Sequence, residues 1–261
     1  MKKYFLPAAV FLVVSLAFSL RFNKIVEDPP SLNWDEASIG YNAYSILKTG
    51  KDEWGVKFPL HFKAYGEYKL PAQIYASIPG IALFGLNEFG VRITPVIYGT
   101  LTILLLYFLT KELFKNKWVA LVSSFFLAIS PWHIQLTRAS FESSFAVMWI
   151  VLGIWWLVKG FEKPKWLIAS VIPFAISVYT YNSARVFTPL FLILTLFIYW
   201  KRFFIIKKES IIFALLFFVS LLPLIPFVLS GEASTRYKLV SITDDAGLIP
   251  RIEERRNLSK L

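Results

Sequence analysis

Long apolar runs alternate with short charged segments along this chain. The first run, Tyr4–Phe22, follows Lys2 and Lys3. Six more lie at about 92–110, 118–132, 144–159, 166–183, 186–200 and 211–229. A membrane-crossing helix needs about 20 mostly apolar residues, so these seven runs predict seven spans. No small-x-small site follows the first run, where Asn23, Lys24, Ile25 and Val26 stand instead. It therefore reads as an uncleaved signal anchor rather than a cleaved signal peptide. One further run, 70–86, is apolar but broken by Pro71, Pro79, Gly80 and Gly85. It reads as a juxtamembrane helix at the interface.

Charge sets the orientation. With the N-terminus cytoplasmic and 70–86 not spanning, the cytoplasmic loops are 111–117, 159–165 and 201–209. With Lys2 and Lys3 they hold twelve Lys and Arg against three acids, Glu112, Glu162 and Glu209. Cytoplasmic loops carry such an excess, and a span at 70–86 would turn the same loops outward. The expectation is an all-α polytopic membrane protein of about seven spans. A long external loop, 23–91, then holds further juxtamembrane helices.

Composition closes off other classes. Of 261 residues 56% are hydrophobic and only 17% charged, and mean hydropathy is +0.57. A soluble domain carries about 25% charged residues. Cysteine is absent, which excludes a disulfide-stapled fold. The net charge of +11 follows from basic loops beside a bilayer, so membrane lipids are expected as partners and nucleic acid is not.

Most of the unusual residues fall on the predicted external face. In Asn33-Trp34-Asp35-Glu36, the acids precede a stretch with Ala37, Tyr41, Tyr44 and Leu47 at helical spacing, ended by Thr49-Gly50. Asp35 reads either as an N-cap with an acidic first-turn neighbour or as a general base or metal ligand. Glu67-Tyr68-Lys69-Leu70-Pro71 is either a solvated loop with a snorkelling lysine or a lysine presented to a lipid phosphate. Pro71 would fix the first helical turn. Ser130-Pro131 through Arg138 leads to Glu142 at the mouth of a span, where an acid is a functional candidate. His133 has no spaced partner for a metal. In Tyr181-Asn182-Ser183-Ala184-Arg185 the arginine is an interfacial anchor or a bidentate phosphate clamp. Arg92 and Arg138 are weaker clamp candidates.

No phosphate-binding glycine loop, zinc pattern or nucleophile elbow is present, so no nucleotide is expected. The ordered motifs resemble the GT-C superfamily of membrane glycosyltransferases. More closely, they resemble the branch holding protein O-mannosyltransferases and the aminoarabinose transferase that modifies lipid A. Asp35-Glu36 matches the acidic pair of its first external loop. Glu67 to Pro71, with Phe84-Gly85 through Arg92, is similar to its Lys-Pro-Pro helix and phenylalanine-glycine…arginine ending. Ser130 through Glu142 is similar to its second acidic site, with Glu for the usual Asp. Tyr181 to Arg185 is similar to its aromatic-to-arginine segment.

The resemblance implies inverting transfer of a sugar from a polyprenyl-phosphate donor to an external acceptor of unspecified kind. It places Asp35, Glu36 and Glu142 in catalysis and Lys69, Arg185 and Arg138 on the lipid phosphate. It allows a divalent metal ion on Glu36 and Glu67. A transporter or lipid flippase would place its charges near the midplane of paired broken helices, not at one face. A non-catalytic relative would use the face to bind a partner. By this reading residues 1–230 form the transmembrane domain. Residues 231–261 form a polar external tail that looks like the start of a further loop, so the chain resembles the N-terminal half of a longer enzyme.

Overall fold

The computed structural model describes residues 2–235, 237, 241, 252–253 and 255–257. Of the tail residues, Arg236, Lys238, Asp244, Asp245, Arg251 and Glu254 lie outside the described residues.

Apolar runs became helices almost throughout. The chain runs through α1 (Lys2–Phe22), α2 (Trp34–Thr49), a β1–β2 hairpin (Phe62–Ala64, Glu67–Lys69), α3 (Pro71–Phe84) and α4 (Glu88–Phe114). It continues through α5 (Lys117–Ile129), α6 (Pro131–Arg138), α7 (Glu142–Gly160), α8 (Lys165–Ala169) and α9 (Val171–Val178). Last come α10 (Asn182–Ile198), α11 (Trp200–Ile205), α12 (Lys207–Leu221) and α13 (Ile225–Leu229).

Among the described residues four helices are long and apolar enough to cross a membrane: Tyr4–Phe22, Glu88–Phe114, Glu142–Gly160 and Lys207–Leu229. A fifth crossing forms if α5 and α6, bent by 59° at Ser130, count as one. Pro131 cannot donate to the helical ladder, and the Ser130 side chain caps α6 instead. Lys165–Val178 and Asn182–Ile198 are apolar but shorter. Seven full-length crossings are therefore not what these helices provide; four or five are. The chain is an integral membrane protein. At 14 residues, α3 reaches about 21 Å, short of the roughly 30 Å hydrocarbon core.

Helix α4 sits at the centre, against α1, α3, α5 and α7. Small residues bring α3 onto it: a Cβ at Gly80 would lie 2.6 Å from the Gly90 carbonyl oxygen. The amphipathic helix α2 packs on α3 through Ile39, Ala43 and Ile46. The periodicity of Ala37, Tyr41, Tyr44 and Leu47 had pointed to a different face. Tyr41 and Leu47 are exposed, because the close approach needs Gly40, where Val91 fills the space a Cβ would take, and the buried Ala43.

The N-cap of α2 is Asn33, not Asp35. Asn33 Oδ1 accepts the Glu36 N–H at 2.8 Å, and Glu36 Oε2 accepts the Asn33 N–H at 3.1 Å, a complete capping box. At the other end Gly50 adopts φ 69° and donates to Ile46 O, a left-handed cap open to glycine.

The β1–β2 hairpin departs from an all-α chain. Phe62 pairs Lys69 and Ala64 pairs Glu67. The two-residue loop Tyr65-Gly66 has positive φ at both positions, as a tight hairpin twist requires. Side chains alternate across a strand, so Glu67 and Lys69 share one face and Tyr68 takes the other.

Candidate functional site

Four elements meet around one ammonium group. Lys69 Nζ lies 2.5 Å from Asp35 Oδ1, 3.3 Å from Glu142 Oε1 and 3.9 Å from Glu67 Oε1. Asp35 stands in the first turn of α2 and Glu142 in the first turn of α7, where helix dipoles favour carboxylates. Glu67 and Lys69 come from β2, and Tyr181 and Asn182, from the start of α10, line the same pocket. Its free volume is about 30 Å³, the share of one water molecule. The Lys69 side chain is 3% exposed, that of Asp35 24%. Burial alone would lower the Lys69 pKa, but Glu142, Asp35 and Glu67 outweigh it and hold the ammonium above its ordinary value.

The segment before Glu142 is fixed from several sides. Gln73 Nε2 donates to Ser140 Oγ at 2.7 Å. Tyr98 Oη donates to Phe141 O at 3.1 Å. The Ser140 N–H donates to Glu36 Oε1 at 3.2 Å.

That last bond belongs to a second charged cluster, fully buried. Arg92 Nε donates to Glu36 Oε1 at 2.9 Å and Nη2 to Oε2 at 3.1 Å, a two-point pairing. The remaining Arg92 donors reach Ile25 O, Pro29 O and Ser31 O at 2.7 to 2.9 Å. With Asn33 and Ser140 also donating, both Glu36 oxygens are filled twice. Glu36 therefore does not line the pocket, and this geometry leaves it no site for a substrate or a metal. It is a positioning residue.

The arginines separate likewise. Arg138 donates to Leu20, Asn23, Lys24 and Asp28 carbonyls at 2.8 to 3.2 Å, closing the C-terminal end of α1. It is a structural staple away from the pocket, with its donors committed to backbone. Arg92 is the partner of Glu36. Arg185 differs: Nη2 donates to Asn182 Oδ1 at 2.5 Å and to Ala233 O at 3.0 Å, while buried Nη1 has no partner among the described residues. It heads an apolar cavity of about 270 Å³ that includes Pro189 and Leu221. Those two residues also line a second apolar groove, about 500 Å³, that continues along α10 and α12 to Lys207.

Of the residues singled out along the chain, the structure brings Asp35, Glu67, Lys69 and Glu142 to one pocket, with Arg185 next to it through Asn182; Tyr68, Tyr181 and Asn182 line the pocket without having been singled out as site residues. Asn182 had one available signal, its place three residues before Arg185 on a helix start.

A metal on Glu36 and Glu67 does not fit. Glu67 faces the pocket, Glu36 does not, and the point where three carboxylates converge is filled by Lys69 Nζ. Among the described residues no group of three or more Asp, Glu or His is arranged for a metal ion.

Known proteins share this frame. A dolichyl-phosphooligosaccharide-protein glycotransferase of Pyrococcus horikoshii is 28% identical over 170 residues, 57% of this chain and 22% of that protein. The solved apo oligosaccharyltransferase of Archaeoglobus fulgidus matches with TM-score 0.64 and 17% identity, over 87% of this chain and 30% of that one. The same archaeal protein is known as a complex with zinc and sulfate. ArnT of Cupriavidus metallidurans, solved bound to undecaprenyl phosphate, matches with TM-score 0.58 and 14% identity, over 88% of this chain and 41% of that one. The structural likenesses establish the fold, and the chain spans about a fifth of the curated relative's length. The family model described as dolichyl-phosphate-mannose-protein mannosyltransferase matches residues 72–229, more than half of the chain, which therefore belongs to that family of GT-C glycosyltransferases.

Proposed function

We propose that this chain carries the donor and base sites of a transferase. The enzyme would move a sugar from a polyprenyl phosphate to an acceptor hydroxyl, with inversion. The observation that carries the reading is Arg185. A half-buried guanidinium, whose buried Nη1 has no partner among the described residues, stands at the head of an apolar groove and, through Asn182, beside a carboxylate pocket. A prenyl chain matches the groove, and a phosphate matches the free N–H.

In this scheme the acceptor oxygen attacks the anomeric carbon while the bond from that carbon to the phosphate oxygen breaks. Asp35, the most exposed of the three carboxylates, takes the hydroxyl proton. Arg185 stabilises the charge gathering on the departing phosphate. Lys69 is already held by acids, so its part is to hold Asp35 and Glu142 in place, and the phosphate falls to Arg185. The 30 Å³ pocket suits a single hydroxyl, not a sugar ring. No step is routed through a metal, for which the residues present do not fit.

The orientation belongs to the same proposal: N-terminus cytoplasmic, pocket external, with the two shorter apolar helices completing seven crossings. The basic 111–117, 159–165 and 201–209 segments support it. Residues 1–230 form the membrane unit, and the chain spans about a fifth of the curated relative's length.

The test is transfer from a labelled polyprenyl-phosphate sugar in membranes holding the protein. Asp35→Asn should lower the rate by about 10²–10⁴-fold while membrane insertion and thermal stability stay close to wild type. Undiminished transfer by that variant removes Asp35 from the base role.

A further inference from the structure

Strand β2 has a second face, and it borders a second site. Tyr68 points away from Lys69 toward a surface cleft of about 530 Å³ between the 52–63 loop and the end of the last helix. The cleft is two-sided. Trp54, Leu60 and Phe227 give it an apolar wall; His61 and Glu232 give it a polar one. We propose that it binds a saccharide: it holds the pyranose ring of the acceptor, whose hydroxyl enters the neighbouring carboxylate pocket.

Three observations converge on a sugar. First, the aromatic platform is preset. Trp54 Nε1 donates to Lys63 O at 3.0 Å and Lys63 Nζ sits over one face of the ring, 5.0 Å from its centroid, which fixes the indole, yet 61% of the residue remains exposed. A pyranose presents a face of C–H bonds that stacks on such a ring. Second, the polar wall has spare capacity. Glu232 accepts from Tyr68 Oη at 2.7 Å and pairs with His61 Nε2 at 3.2 Å, but a carboxylate has about four acceptor sites and this one stays a third exposed. Hydroxyl groups on the rim of a sugar are the complementary donors. His61 stacks on Phe227 at 4.5 Å between centroids, so the pair is held in register with the apolar wall. Third, Tyr68 lines both cavities, so a ring in the cleft can direct one hydroxyl past it toward Asp35. A phosphate is disfavoured here because Asp52 and Glu232 offset Lys63 in the lining. A lipid chain is disfavoured by the polar wall, in contrast to the apolar groove below Arg185.

That the bound saccharide is the acceptor rests on the transferase reading; that the cleft binds saccharide does not. The full chain in detergent should therefore be titrated, without any donor, with methyl α-mannopyranoside and with N-acetylglucosamine. Saturation-transfer NMR reads the binding, and a serine- and threonine-containing peptide is run in parallel. Binding of at least one sugar is expected. It should weaken about tenfold, some 1.4 kcal/mol, in Trp54→Ala and recover in part in Trp54→Phe. Three results overturn the inference: neither sugar binds; the peptide binds and the sugars do not; or binding survives Trp54→Ala undiminished, which places the sugar outside the cleft. Sugar binding without any transfer from labelled donor would sink the transferase reading and leave the cleft standing. Transfer without sugar binding would do the reverse.

Discussion

Asp35 and Glu36 are consecutive residues in one helical turn, and they live in opposite circumstances. Glu36 is sealed: two oxygens, four donors, a guanidinium docked in two-point geometry and no exposure. Asp35 is open: one short contact to Lys69, a quarter of the side chain still exposed, and a hydroxyl-sized space beside it. The contrast shows how a fold holds a reactive group still without using it up. The closed cluster takes the structural duty. Through the capping box it fixes the turn that carries Asp35, and through the Ser140 N–H it fixes the segment two residues before Glu142. The open cluster is left free to meet a substrate.

The sharpest way to break this division is Arg92→Ala, which leaves Glu36 buried with no counter-charge. Loss of one partner of a buried pair costs about 3–5 kcal/mol. Thermal unfolding in detergent should show a large fall. An unchanged midpoint would mean that the closed cluster does not hold the fold.

A smaller effect is expected at Lys69. Its pKa is raised above the ordinary 10.5 in the folded protein. A raised value means that its ion pairs stabilise fully below the ordinary pKa and that this stabilisation is lost as pH rises through the raised one. Lys69→Met should be less stable than wild type at neutral pH, and the difference should shrink in strongly alkaline buffer. Parallel stability curves from pH 7 to 11 would remove the lysine from its electrostatic role.

The smallest effect is at the cap. Asn33→Ala removes one half of the capping box, and caps contribute about 1 kcal/mol. Transfer activity should fall by more than this loss of stability explains, because the turn that carries Asp35 loosens. Equal small changes in both readouts would detach the cap from the positioning of Asp35.

Much of the open cluster was legible along the chain. Asp35, Glu67, Lys69 and Glu142 each stood out as charges beside apolar runs, where a charge needs a reason. Their meeting point was not legible, because it depends on a hairpin too short for a periodic signal. The β1–β2 strands are three residues each. Glu36 looked like a site residue because motif spacing cannot show that its partner is Arg92, 56 positions away. Arg138 misled for the same reason: an arginine at a membrane border closes a helix end as readily as it clamps a phosphate. Full-length spans were not legible where proline and turn residues shorten the helices near Ser130 and around 179–181, which hydropathy alone does not resolve.

The size of the carboxylate pocket has a consequence for the chemistry. A space fitted to one hydroxyl is equally fitted to one water. Water beside Asp35 would be activated just as an acceptor would, and a loaded lipid donor would then be spent by hydrolysis. Fidelity in such an enzyme is therefore a matter of timing: the donor sugar should meet the base only when an acceptor already occupies the mouth of the pocket. Tyr181 and Asn182 line that pocket, and Asn182 accepts from Arg185, so on the proposed reading they stand between base and donor phosphate.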